Sequence, residues 1–279
     1  MQYRNFLAIH SIQDTIESLS PAVSMARHYG AHLEILVLNL ASPVPTMTFI
    51  QNPDFDWSDS YSQVLGESRQ RIEQVQRWLE DKGISSEVSS SCQQLGLVDD
   101  DVMQPALYAD IVLFHKGSES MVSGMMSKAL DGAVFDAARP ALILPSGHAE
   151  PPASFKRIAI AWDPTPGAMH AISAGLLLLA SASYVELAIV SREYDKRYHQ
   201  DQTLKIRQWL NRHDIKAELT VVHQEDRLVS EVLLDYVNSA DLDLMVMGAY
   251  GHSRFTERLF SGVSHQLLDK SDKALLLAH

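Results

Sequence analysis

The chain has 279 residues, a formal net charge of −12 and 46% apolar residues. That length admits two domains of roughly 100–200 residues, the apolar fraction suits packed cores, and the acidity argues against non-specific binding to nucleic acid or an anionic membrane. No apolar run approaches the ~20 residues that span a bilayer, Met1 to Phe6 lacks a signal-peptide pattern, and the single Cys92 excludes an internal disulfide, so the expected compartment is the cytoplasm.

Taken in order, the elements repeat. Phe6-Leu7-Ala8-Ile9 returns as Ile158-Ala159-Ile160-Ala161, an offset of 152, and Leu33-Glu34-Ile35 returns as Val185-Glu186-Leu187 at the same offset. Trp78-Leu79 with Ile84 matches Trp209-Leu210 with Ile215 at 131. Asp110 to Phe114 matches Asp243 to Met247, and Pro140 to Leu144 matches Lys273 to Leu277, both at 133. Five ordered matches indicate a duplication. The drop from 152 to 131 places about 21 extra residues between Leu40 and Trp78 of the first copy. The polar, proline-rich run from Pro145 to Pro152 reads as the linker, giving domains at 1–147 and 153–279. Charge divides unevenly: residues 1–150 carry 9 Lys/Arg against 19 Asp/Glu, and residues 151–279 carry 14 against 16.

Within the second copy, strand-like Ile158 to Trp162 precedes a helix over Ala168 to Ala180. A strand at Val185 to Val190, a helix around Gln202 to Asn211 and a strand at Ala217 to Val222 follow. A helix over Leu228 to Ser239, a strand at Leu244, a helix from Ser264 and a strand at Ala274 complete it. Apolar strands alternating with helices predict an α/β fold with a parallel sheet covered on both faces. Ligands of such sheets bind beyond the carboxyl ends of the strands, where the strand order reverses.

One segment leaves such a strand end: Gly248-Ala-Tyr-Gly251-His252-Ser-Arg-Phe-Thr-Glu-Arg-Leu-Phe-Ser261-Gly262-Val263-Ser264. Glycine allows close backbone approach, and a helix N-terminus offers unpaired N–H groups that favour phosphate. The dipole alone is worth only about 0.3–1 kcal/mol when exposed, so affinity needs several donors together with the Ser264 hydroxyl. The same residues also make an ordinary turn with Ser261 or Ser264 as a helix cap. On the residues alone, both readings stand.

The segment resembles the nucleotide-binding signature of the universal stress protein family, which reads glycine, two residues, glycine, nine residues, glycine and a nearby Ser or Thr. The run Ile158 to Asp163 is similar to the first strand of such domains, which ends in an aspartate beside the adenosine. The resemblance covers nearly the whole chain, with specific motifs only in the second half. It implies two tandem open parallel five-stranded sheets of Rossmann type, helices on both faces, paired through their last strands. It also implies ATP or AMP, with or without Mg²⁺, in a subset of members. Carried over, Asp163 contacts the adenine and ribose side, Ile189 and Val190 pass under the adenine, and Gly248 faces the ribose. Gly251 and His252 approach the phosphates, and Gly262, Val263 and Ser264 hold phosphate at the helix start. Two departures stand out. The nine-residue spacer ends on Ser261, with Gly262 one place late, and Asp163-Pro164-Thr165 replaces the usual Asp-Gly-Ser. They point to weak binding or to AMP alone.

The first half departs further. Gly248 corresponds to His115, Gly251 to Ser118, Gly262 to Ala129, Ser264 to Asp131 and Asp163 to Ser11. Asp131 would repel phosphate, so this half is expected to have lost nucleotide and to serve as a structural partner or to hold something else. The twelve histidines show no ligand spacing and read as surface or capping residues, with no metal site expected. Asp99-Asp100-Asp101 reads as a solvated helix start, Trp78 and Trp209 as core, Met121, Met125 and Met126 as core or interface, and Cys92 as a buried thiol. No Gly-x-x-x-x-Gly-Lys-[Ser/Thr] or Gly-x-Ser-x-Gly motif occurs, so no catalytic residue is assigned. The expectation is a stress-response module binding adenine nucleotide in its second domain and regulating an unidentified protein partner. Slow ATP hydrolysis at the same site and a nucleotide-free interaction or small-ligand role of the first domain are the alternatives. The two domains form an internal pseudo-dimer, within a monomer or a homodimer.

Overall fold

Strands that are apolar throughout need cover on both faces, and this chain supplies it by alternating strand with helix. The computed structural model describes residues 2–41, 57–117, 120–145, 155–193, 196–249 and 262–279. The first half contains β1 (Asn5–Ser11), α1 (Ser20–Tyr29), β2 (His32–Leu40), α2 (Trp57–Leu79), β3 (Ser86–Gln93), α3 (Val98–Ala106), β4 (Ile111–His115), α4 (Gly124–Asp131) and β5 (Ala141–Leu144). The second contains β6 (Arg157–Ala161), α5 (Pro166–Ala174), α6 (Leu176–Ser181), β7 (Tyr184–Ser191), α7 (Lys196–Asn211), β8 (Ala217–His223), α8 (Val229–Ser239), β9 (Leu244–Gly248), α9 (Gly262–Lys270) and β10 (Ala274–Ala278). Part of the extra length of the first copy lies in α2, which runs 23 residues against 16 in α7.

The strands form one ten-stranded sheet in the order β3-β2-β1-β4-β5-β10-β9-β6-β7-β8. Each half is parallel and doubly wound, as the sequence predicts, but the halves are not two separate sheets. β5 and β10 pair antiparallel, with Leu276 opposite Leu142, Leu275 opposite Ile143 and Leu277 opposite Ala141. The physical reason is their composition. Ala-Leu-Ile-Leu and Ala-Leu-Leu-Leu-Ala are buried on both faces, and either would be an apolar, unpaired edge if left alone. The outer edges fall instead on β3 and β8, whose residues are half-buried or exposed and, in β3, rich in serine.

Side chains alternate across the sheet, so Phe6 and Ala8 feed one core while Leu7 and Ile9 feed the other. Each core runs through both halves: Phe6, Leu142, Leu276 and Ile158 share one face, and Ile143, Leu275 and Met245 share the opposite one. Trp78 and Trp209 both pack against the first of these cores, on the same face. Met121, Met125 and Met126 are buried in the second, the core role expected of them. Polar contacts also cross between halves. The Tyr3 hydroxyl donates to the Ala174 carbonyl at 2.8 Å, and Lys116 Nζ donates to the Ser271 carbonyl at 2.5 Å beyond the C-terminus of α9.

The helix expected over 168–180 breaks at Gly175 into α5 and α6. A Cβ there would lie 2.9 Å from Leu276 Cδ2, so the seam strand sits against the helix backbone itself.

Two phenols are held protonated by the packing. Burial raises the pKa of Tyr3 well above its usual 10.0, helped by Tyr29 and Asp110. Tyr236 rises through burial and through its hydrogen bond to Glu186, a buried carboxylate that also accepts from Thr220 at 2.7 Å. A raised folded pKa means that this stability is complete below about pH 10 and declines as pH climbs beyond it. In an alkaline titration of tyrosinate absorbance, Tyr3 and Tyr236 should ionise only as circular dichroism is lost. Ionisation of all nine tyrosines in the folded protein would contradict the packing.

Candidate functional site

The strand order of the second half reverses between β6 and β9. From β6 the chain winds outward through β7 and β8, then returns to place β9 on the other side. The crevice beyond the carboxyl ends of these two strands is the place where such sheets bind ligands. Asp163 stands there, two residues past β6 and partly exposed. Thr165 Oγ1 donates to Asp163 Oδ1 at 2.8 Å, and the Thr165 N–H reaches back to the Asp163 carbonyl at 2.8 Å. That three-residue turn centres on Pro164, whose fixed φ suits it. The departure from Asp-Gly-Ser therefore has a local logic: Thr165 fixes the carboxylate and also caps α5, accepting from the Ala168 N–H at 3.3 Å. With Pro166 lacking an N–H and Ala168 taken, α5 has few donors left for an anion.

Gly248 ends β9 directly against the first turn of α5. A Cβ at 248 would lie 2.8 Å from Ala168 N and 2.9 Å from Gly167 C, so only glycine lets strand and helix meet. Asp163, Thr165 and Gly248 thus form one packed unit around the start of α5. Ile189 and Val190 lie half-buried near the end of β7, the strand beside β6. Gly262 opens α9, Val263 packs partly against the core, and Ser264 is buried, its hydroxyl donating to the Ala249 carbonyl at 3.1 Å. Ser264 therefore ties the start of α9 to the end of β9. Gly251 and His252 lie outside the described residues.

The first half has the same switch point between β1 and β4, and its occupants differ. His10, the next-to-last residue of β1, and His115, at the end of β4, are both buried, their rings 6.0 Å apart between centroids. Asp14 is buried with them, carried on a turn in which its N–H bonds the Ser11 carbonyl at 3.0 Å. Asp14 Oδ2 lies 3.1 Å from His115 Nε2. Burial, with the neighbouring His115 second, lowers the His10 pKa to about 4. No spacing motif announces these three residues. Their signal is positional, a histidine at or near the carboxyl end of each strand flanking the switch point, and it becomes readable only once the strand order is known.

Two smaller expectations change. Asp99 is not a solvated helix start, because it is buried at the beginning of α3 with Lys128 3.6 Å away. Cys92 is half-buried on the edge strand, 2.9 Å from the Ser68 hydroxyl.

A doubly wound sheet duplicated about an antiparallel seam, with an aspartate and a tightly packed glycine at one switch point, defines a class of tandem α/β proteins. Residues 154–279 match the model of the universal stress protein family, so the second half is a domain of that family. A universal stress protein from Archaeoglobus fulgidus superposes over 100% of this chain and 99% of its own with a TM-score of 0.72 at 12% identity. A putative universal stress protein from Pseudomonas aeruginosa covers 99% of this chain and 93% of its own with a TM-score of 0.60 at 14% identity. At such identities these likenesses establish the fold, and they extend it to the first half. No curated protein matches the sequence significantly.

Proposed function

We propose that the second half binds an adenine nucleotide, ATP or AMP, and that the chain serves in a stress response as a nucleotide-responsive binding module. The observation that carries this reading is the Asp163 carboxylate, anchored by Thr165 at the switch point beside Gly248. A carboxylate so placed is a ready acceptor for ribose or adenine donors, and the family match of residues 154–279 suggests the ligand class. In this reading Ile189 and Val190 give the base an apolar floor, while Gly251, His252 and the start of α9 receive phosphate. Occupancy of the site from Gly248 to Ser264 would change the affinity for a protein partner. Binding explains the residues better than hydrolysis, since the Thr165 hydroxyl that pairs with the Asp163 carboxylate is engaged in capping α5.

The test is denaturation of the purified protein with identification of released nucleotide, followed by calorimetric titration of the emptied protein with ATP and AMP. One nucleotide per chain is expected. Asp163→Ala should weaken binding about 10–100-fold with the fold intact, the equivalent of one hydrogen bond to a charged acceptor at about 1.5–3 kcal/mol. Neither release nor uptake by folded wild-type protein would overturn the proposal.

A further inference from the structure

We propose that His10, Asp14 and His115 bind one divalent transition-metal ion, with zinc(II) as the reference occupant, at the switch point of the first half. Each of the three offers one ligand atom, and those atoms all lie within 4.8 Å of one another. Ligand atoms about 2.0–2.1 Å from a tetrahedral zinc stand about 3.3 Å apart. Asp14 Oδ2 and His115 Nε2 already stand at 3.1 Å. Yet His115 Nε2 makes no hydrogen bond among the described residues, so the ring nitrogen is not aimed at that carboxylate oxygen. Two such atoms, close together but not aimed at one another, suit a shared third atom.

His10 supplies the second indication. Its Nε2 is fully buried and has no hydrogen-bond partner among the described residues. Its Nδ1 lies 3.5 Å from Ser18 Oγ, whose single proton goes to the Thr15 carbonyl at 2.7 Å. The imidazole must then be the donor in that contact, which leaves Nε2 as the bare lone pair. A ring nitrogen anchored through its N–H while the other presents a lone pair is the tautomer that metal-bound histidines adopt.

The surroundings make room for the carboxylate. A Cβ at Gly117 would lie 2.4 Å from Asp14 Oδ1, so the backbone there is opened for that side chain. The nearby cation, Arg71, has its guanidinium tied to the Ile12 carbonyl at 2.7 Å, and the single negative charge of Asp14 offsets it. Two imidazoles and one carboxylate suit zinc-type ions over calcium or magnesium, and three protein ligands leave a fourth position open. The second half cannot host this set, having Trp162, Pro166 and Gly248 at the equivalent positions. The inference does not depend on nucleotide binding, which concerns the other half.

The experiment uses the untagged full-length protein, stripped with a chelator and titrated with cobalt(II) under visible absorption, then with zinc(II) in competition. One cobalt per chain with the strong absorption of a four-coordinate ion, displaced by zinc, is expected. His115→Gln and Asp14→Asn should each weaken uptake at least about tenfold, while His170→Ala, outside the cluster, should not. Circular dichroism establishes that each protein is folded, and Asp14→Asn, on a turn, carries the reading if the strand variant fails to fold. No uptake by folded wild-type protein, or uptake unchanged in both variants, would overturn the assignment.

Discussion

Leu276→Asp unfolds both halves of the chain together. Leu276 lies in the seam strand, fully buried, opposite Leu142 and against the backbone of Gly175. Removing its side chain alone costs about 2–5 kcal/mol through lost transfer energy and the cavity left behind. A carboxylate with no partner in that position adds several kcal/mol more. The sum reaches the whole stability of an ordinary domain, about 5–15 kcal/mol. The loss cannot stay in one half because both cores run across the seam. The milder Leu276→Ala should therefore shift one cooperative unfolding transition, seen alike by near- and far-ultraviolet circular dichroism. Two transitions, of which only one moves, would mean that the halves fold independently despite their shared sheet. An isolated second half would expose β10 as an apolar edge and is expected to self-associate through it.

How much of this was legible beforehand differs by scale. The duplication, the alternation of strand and helix, and the parallel winding of each half follow from the offsets and the apolar strands. The single sheet does not, because nothing in Ala-Leu-Ile-Leu says which strand it will meet; the family resemblance, not periodicity, pointed to pairing of the last strands. The break at Gly175 is hidden for the same reason, since a glycine in a good helical stretch reveals its purpose only when Leu276 is seen packed on it. At the second switch point Asp163 and Gly248 were found by motif, and the structure supplies local causes: a proline-centred turn, a threonine cap and a helix in contact with the strand end. Ser264 was expected to face phosphate, and its hydroxyl here serves the Ala249 carbonyl. The histidine cluster stayed hidden because its members are joined by topology alone, with 104 residues between His10 and His115.

Gly248→Val should both destabilise the second half and disable its switch point. Valine favours strands, and the backbone at 248 needs no positive φ, so backbone preference does not oppose the change. The obstacle is space alone. The new Cβ would lie 2.8 Å from Ala168 N and 2.9 Å from Gly167 C, both backbone atoms that no rotamer can move. Helix α5 must retreat, and Thr165 and the Asp163 carboxylate that it holds must retreat with it. Overpacking of this kind costs about 1–3 kcal/mol. Gly248→Val should therefore lower the melting temperature by several degrees and reduce nucleotide affinity at least about tenfold. Gly248→Ala, which places the same Cβ, should show most of both effects. If the valine variant keeps the wild-type melting temperature and affinity, α5 does not seat on Gly248, and Asp163 loses the geometry on which its proposed role depends.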